Sequence, residues 1–449
     1  MDVLLQQSKA LKNALLEFTL EADGELAQAL ELFCAEKLVL WSKNKLKGIH
    51  CSDLAIDMFL TEGQVAGQSI LDRFIANHPD LSSADRALVQ GWQQSFNGLF
   101  VIQQVDVDGY QVMNWLTEKQ YQVKSNGSQT DTTLARLAPG DVTMIRLAPI
   151  SPTNWTFSGP LLLLGKLGNA KLAVAIGNFK IWFPHHLYSD APELLEAAWK
   201  SVDRYYQDFV QFFGGDRLTM SGYELGKKLN EYQDVTTQRY LEEAGLDGSK
   251  SLRELADAAG ISEAEMAESV AELGEDGKLV RRLLDHPQAA KMVMPEIKLP
   301  DELRHAEIVT VFVHPRWGQT FLHDYVRLVE LLQAFDPESV EACDRMIRKY
   351  LKDDSVNTYI WHCLADEVST PLEMALQRVL GNPSFKMTHD LDQALVQAGK
   401  PLDPQLPEIA SVPLHLHNLF QAALQEVNRG TSAQKKAKSE KKRKAGFGV

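Results

Sequence analysis

Cysteine is scarce in this chain of 449 residues. Cys34, Cys51, Cys343 and Cys363 stand far apart among apolar neighbours, with no CxxC pair. That spacing argues against a disulfide scaffold or a cysteine-built zinc site and points to reduced thiols. Long apolar runs are missing as well: the longest, 161–164 and 308–313, fall far short of the roughly 20 residues that span a bilayer. The opening stretch MDVLLQQSKALKNALLEF has no basic leader, continuous apolar run or small-residue cleavage site. It reads as an amphipathic first helix, so export is not expected. Soluble residence is expected in the cytoplasm, or in the plastid stroma if the source is a photosynthetic eukaryote.

Complete catalytic signatures are also missing. No Walker loop, dinucleotide fingerprint, GxSxG elbow, HExxH pair or kinase set is present. Gly165-Lys166-Leu167-Gly168 is too short for a phosphate loop and reads as a hairpin turn between strands. Asp353-Asp354 and Asp106 with Asp108 read as a helix cap and a hairpin turn rather than cation sites. No cofactor or metal is expected, and an enzymatic role stays open, with the balance against it.

What is present is an average globular composition, 45% hydrophobic and 24% charged, with a net charge of -14. That charge hides an asymmetry. Lys435, Lys436, Lys438, Lys441, Lys442, Arg443 and Lys444 crowd into ten residues with one Glu, leaving about -20 on the remainder. An acidic body repels nucleic acid at long range, whereas such a tail is an electrostatic tether.

Along the chain, Leu4, Leu11, Leu15 and Phe18, then Leu26, Leu30, Phe33 and Trp41, recur at helical spacing. Breaks at Asp23-Gly24, Lys47-Gly48 and His78-Pro79, and a start at Ser82 with Asp85, divide this region into helices. From Gly98 the pattern changes. LFVIQQVDV, GYQVMNW, YQV, DVTMIRL, WTFSG and KLAVAIG alternate with turn residues and predict the strands of a small antiparallel barrel. Asp190 is expected to cap a long helix striped by Leu195, Trp199, Val202, Tyr206, Phe209 and Phe213 and ended by Gly214-Gly215. An isolated strand is expected over 307–313, then a helix from about Thr320 to Phe335, another opened by Asp336-Pro337, and further helices through Cys363, Met374 and Leu419.

The expected fold class is therefore α+β, multidomain and mainly helical. A helical domain takes 1–97, a small β barrel 98–188, a linking helix 189–221, a winged-helix-like domain 222–299 and a helical domain 300–430. A disordered basic tail follows at 431–449.

Two resemblances bear on this division. Leu252, Leu255 and Ala256, a turn at Gly260, the Ser262/Glu265 capping box, then Met266, Val270, Leu273 and Asp276-Gly277 before Lys278-Leu279-Val280 resemble the winged-helix family over about 222–295. Its second helix would present Glu263, Glu265, Glu268, Glu272 and Glu275, which repel phosphate, so a protein partner is favoured over DNA. Leu137-Ala138-Pro139-Gly140-Asp141 and Trp155-Thr156-Phe157-Ser158-Gly159 are loosely similar to the small barrel of bacterial and plastid-type SEC-C-associated proteins, spanning 98–182. The cysteine-rich tail of those proteins is not found here, and no metal role carries over.

The densest collection of functional side chains is His314, Arg316, Trp317, His323 and Asp324, where a strand is expected to end and a helix to begin. Free N–H groups and an arginine make that a candidate anion pocket. An arginine stacked on tryptophan explains the same residues without a ligand. His415-Leu416-His417 reads as a helix start and His185-His186 as a surface loop. The function expected is a non-catalytic adaptor or assembly factor binding a partner protein. The alternatives are a nucleic-acid-associated protein using barrel, winged helix and tail, and an enzyme with a site near His314.

Overall fold

Apolar residues three and four apart organise the first ninety residues, and each helix ends where a Gly or Pro interrupts that period. The computed structural model describes residues 3–125, 134–243, 299–334, 336–413, 415–420, 422, 423 and 426. It places α1 at Val3–Leu20, α2 at Glu25–Lys43, α3 at Cys51–Glu62, α4 at Ile70–Asn77 and α5 at Ser83–Gly91. A minimal hairpin, β1 (Gln64–Val65) and β2 (Gln68–Ser69), joins α3 to α4. The Ser82 hydroxyl accepts from the Asp85 N–H while the Asp85 carboxylate accepts from the Ser82 N–H, a capping box at the expected helix start. Leu15, Leu26, Phe59, Phe74, Val89 and Trp92 form the core of this layer.

Five strands follow: β3 (Phe96–Asp106), β4 (Gly109–Asn114), β5 (Gln120–Lys124), β6 (Val142–Pro149) and β7 (Asn154–Gly165). They close in the order β3-β4-β5-β7-β6, with β6 returning to β3. The barrel is mixed, not antiparallel as expected, because β7 closes onto β5 in parallel register. Phe96, Phe100, Ile102, Tyr121, Val123, Ile145 and Leu147 fill its interior. The sixth expected strand is instead a helix, α6 (Asn169–Trp182). Leu172, Ile176 and Phe179 are its buried residues, at i, i+4 and i+7. A closed barrel offers no edge for a further strand, so this apolar run must satisfy its backbone within itself. Gly165–Gly168 accordingly joins strand to helix and is not a hairpin turn.

Helix α7 spans Pro192–Phe213, and the division between two compact units falls inside it. The first unit holds everything up to Ala198 and the segment from Ser411; the second runs from Trp199 to Ala410. Asp190 does not cap α7. Its carboxylate accepts from Asn114 Nδ2, Thr117 Oγ1 and the Tyr121 hydroxyl at 3.0, 2.9 and 2.6 Å, pinning this loop to the barrel.

In the second unit β8 (Arg217–Met220), α8 (Gly222–Glu243), α9 (Asp301–Arg304), β9 (Val309–His314) and β10 (Gly318–Leu322) precede four helices. These are α10 (Tyr325–Gln333), α11 (Pro337–Lys352), α12 (Thr358–Leu380) and α13 (Met387–Gln397). The strand expected to be isolated, β9, is the centre of an antiparallel sheet ordered β10-β9-β8. The first residues of the helix expected from Thr320 are strand β10, and the helix begins at Tyr325. Tertiary pairing with β9 outweighs the local apolar period there. Asp336 caps α11 by accepting from the Ser339 N–H at 2.9 Å. Helix α12 kinks at Val368, three residues before Pro371, whose ring cannot share the preceding turn.

The helix-turn-helix expected over 252–280 and the basic tail at 431–449 lie outside the described residues. The described part of the expected winged-helix span contains the continuous helix α8. No helix among the described residues is long and apolar enough to cross a membrane.

Two glycines give opposite expectations. A Cβ at Gly109 would overlap the Val123 carbonyl, whereas Gly177 of α6 faces open space. Gly109→Ala should lower stability by about 1–3 kcal/mol through overpacking. Gly177→Ala should raise it by about 0.5–1 kcal/mol. Urea unfolding of the two variants checks both signs.

Candidate functional site

A lone arginine lies inside the apolar run of β6, VTMIRLAP, and every residue of that strand is buried. Ile145 and Leu147 face the barrel interior, so alternation turns Met144, Arg146 and Ala148 outward, and Ala148 packs in the core of the N-terminal helices. Arg146 is 0% exposed. A buried guanidinium needs opposite charge and acceptors. Helix α3 supplies them from its last turns: Glu62 Oε1 lies 2.7 Å from Nη1 and Asp57 Oδ2 lies 3.5 Å from Nε. Nη2 donates to Thr61 Oγ1 at 2.5 Å and to the Ser95 carbonyl at 3.2 Å.

Each carboxylate has further partners. Asp57 receives the Ser158 hydroxyl at 2.9 Å and stands 3.0 Å from Lys12 Nζ of α1. That ammonium also lies 5.5 Å from the centre of the Trp92 ring. Glu62 Oε1 lies 3.3 Å from His186 Nε2, and His186 Nδ1 accepts from the Asn97 N–H at 3.2 Å, which leaves the ring proton on Nε2. Arg146 Nε and Nη1 and Lys12 Nζ make no aligned hydrogen bond, so charge holds these pairs more than hydrogen-bond geometry does.

Burial acts on Glu62, His186 and Lys12. It would raise the Glu62 carboxyl, but Arg146 and His186 outweigh it and hold that group at about 2. Burial pushes His186 below the ordinary histidine range against the opposing pull of Glu62. Burial also lowers the Lys12 ammonium, although Asp57 opposes the shift.

Beside the cluster the β6–β7 ladder slips between Met144/Leu162 and Arg146/Ser158, so Gly159-Pro160-Leu161 opposes Ile145 alone. Proline has no N–H for the ladder and Gly159 takes φ +70°, so the chain bulges there. A Cβ at Gly159 would sit 3.2 Å from Asp57 Oδ2. The bulge floors a cavity of about 450 Å3 between α1 and α3, into which Lys12, Asp53 and Asp57 contribute.

The residues expected to form an anion pocket are separated. His314 Nδ1 accepts from the N–H groups of Arg316 and Trp317 at 3.0 and 3.1 Å, closing the β9–β10 turn. Its ring lies 4.4 Å from that of Tyr359, and Arg316 stacks 3.9 Å over Trp199. His323 and Asp324 stand past the other end of β10, roughly 15 Å along the hairpin. There His323 lies 3.5 Å from Glu302, and Asp324 accepts from Lys349 and the Tyr350 hydroxyl, both at 2.7 Å. Lys435, Lys436, Lys438, Lys441, Lys442, Arg443 and Lys444 lie outside the described residues.

His186, expected in a surface loop, is buried at 8% exposure because the turn after Phe183-Pro184 folds back over β3. His415 does begin a helical stretch, 3.0 Å from the Trp115 carbonyl through Nε2. Lys12, Asp57, Glu62 and Arg146 were not singled out from sequence. The available signal was an arginine in the middle of an eight-residue apolar strand. No protein-family model, curated protein or solved structure matches this chain.

Arg146→Met should destabilise the fold by about 3–5 kcal/mol, because Glu62 and Asp57 lose their compensating charge. Glu62→Gln in that background should recover part of the loss, as double-mutant denaturation would measure.

The acid dependence follows from the shifts. Glu62, held at about 2 against an ordinary 4.5, contributes stability that is full above 4.5 and disappears as pH falls toward 2. His186, lowered from 6.5, favours the fold when neutral, and that contribution declines as pH falls below 6.5, where the unfolded chain takes the proton. Melting temperature should therefore fall from pH 6.5 downward. The gap between the parent chain and Glu62→Gln should close between pH 4.5 and 2.

Proposed function

We propose that the chain is a non-catalytic adaptor or assembly factor that holds a partner protein along α2 and α6. The observation that carries this reading is an apolar face left in solvent. Leu32 and Val39 of α2 are 61% and 69% exposed, and Val174 and Ile181 of α6 are 63% and 50% exposed. Seven residues separate the members of each pair, about two helical turns, so each pair shares one face of its helix. The ends of the helices are clasped: the Trp41 indole donates to the Trp182 carbonyl at 3.0 Å, and the Trp182 indole to the Asn44 carbonyl at 2.9 Å. Exposed apolar side chains on two helices joined at their ends favour association, since burial against a partner removes them from water.

The electrostatics support a protein partner over nucleic acid. Lys119, Lys124 and Arg146 of the barrel region are engaged by Glu193, Asp108 and Glu62. A phosphate-binding face would instead align such groups in an open stripe. The tail lysines and Arg443 would add a weak, salt-sensitive tether.

A photocrosslinker at Ala35, between Leu32 and Val39, should capture a discrete protein. Leu32→Glu with Val39→Glu should abolish that adduct while changing stability by no more than about 0.5 kcal/mol per site. A chain ending at Arg429 should keep the adduct and lose salt-sensitive nucleic-acid binding. Adducts surviving the double substitution, or consisting of RNA or DNA, would refute the assignment.

A further inference from the structure

We infer that the groove between α1 and α3 is a binding site for a small organic cation with an apolar body. Helical spacing builds both walls. Asp53, Ile56, Asp57 and Leu60 recur at i, i+3, i+4 and i+7 on α3, and Lys12, Leu16 and Leu20 recur every four residues on α1. Gly159-Pro160 closes the floor through the bulge in β7. A volume of about 450 Å3 lies within the range of roughly 300–1,000 Å3 typical of small-molecule sites.

Charge decides which ligand this groove favours. Lys12 does not present a free ammonium: its Nζ is buried against Trp92 and Asp57, so the groove meets its methylene stem. Burial further weakens its hold on the proton. Asp57, itself 8% exposed, offsets the charge of Lys12 and already receives the Ser158 hydroxyl. Asp53, one helical turn earlier on the same face, stands exposed at the rim. Asp57 and Glu62 together balance Lys12 and Arg146, so Asp53 is the carboxylate of the walls whose charge is left over. A cationic head beside Asp53 is stabilised, and Leu16, Leu20, Ile56, Leu60 and Pro160 cover an apolar body. An anionic head would be repelled by Asp53.

Calorimetric titration of the full chain with three isosteric probes tests this: 2-phenylethylammonium, 2-phenylethanol and 3-phenylpropionate. The ammonium should bind about tenfold more tightly than the alcohol, the worth of one partly screened ion pair, and the carboxylate most weakly. Asp53→Asn should reduce ammonium affinity to that of the alcohol and leave alcohol affinity unchanged. Asn13→Lys, which sets a cation at the exposed mouth on α1, should do the same from the opposite wall. Asp53 lies in the first turn of α3, so its neutralisation should cost at most about 1 kcal/mol in stability, as a melt of each variant would show. Equal binding of ammonium and alcohol, undiminished ammonium binding in either variant, or no saturable heat from any probe would overturn the proposal.

Discussion

The charge of Arg146 cannot leave its strand, and the first unit is arranged around that constraint. A guanidinium under a closed barrel wall must find compensation on whatever covers it, because desolvating an unpaired cation costs more than a small domain can spare. Helix α3 covers it and brings Asp57, Thr61 and Glu62 from positions i, i+4 and i+5 of its last turns. Lys12 of α1, Ser158 of β7 and His186 after α6 then complete the demands of the carboxylates. One buried cation thus ties two helices, two strands and a turn into one arrangement. Unlike apolar packing, this arrangement penalises small changes in register.

The same constraint shapes the surface beside it. Accommodating Ser158 under Asp57 leaves Gly159 at positive φ and Pro160 outside the ladder, and the resulting bulge opens the groove between α1 and α3. The groove and the ion cluster therefore share Asp57 and Lys12. The groove's polarity follows, because Asp53, the carboxylate of α3 that does not serve Arg146, remains on the groove face. In the second unit, chemistry-bearing side chains are spent on local structure: His314 closes a hairpin turn and Asp324 receives Lys349 and Tyr350.

Much of the helical framework was legible because its signals are local. The Ser82/Asp85 box, the breaks near Gly24 and Pro79, and Asp336-Pro337 each act within a turn of their position. Five of the six expected strands also appear, since alternation and turn residues act over a few residues. KLAVAIG was misjudged because a short apolar run fits a strand or a buried helix equally well, and only barrel closure removes the strand option. Asp190 has the composition of a cap, yet three donors from the β4–β5 region claim it. Sequence proximity brought His314 and Asp324 together on paper, whereas an intervening strand holds them apart.

The sequence by itself determined the helices of the first layer, the barrel strands and the location of long-helix ends, because those depend on periodicity and capping within a few residues. The tertiary structure alone decided the parallel closure of β5 on β7, the pairing of β8 with β9, and the meeting of Lys12, Asp57, Glu62, Arg146 and His186. These contacts join residues up to 124 positions apart, from Glu62 to His186. No local pattern encodes such a meeting: a lysine or an aspartate on a helix reads as a solvated face until another element covers it and low dielectric turns it into a necessary partner.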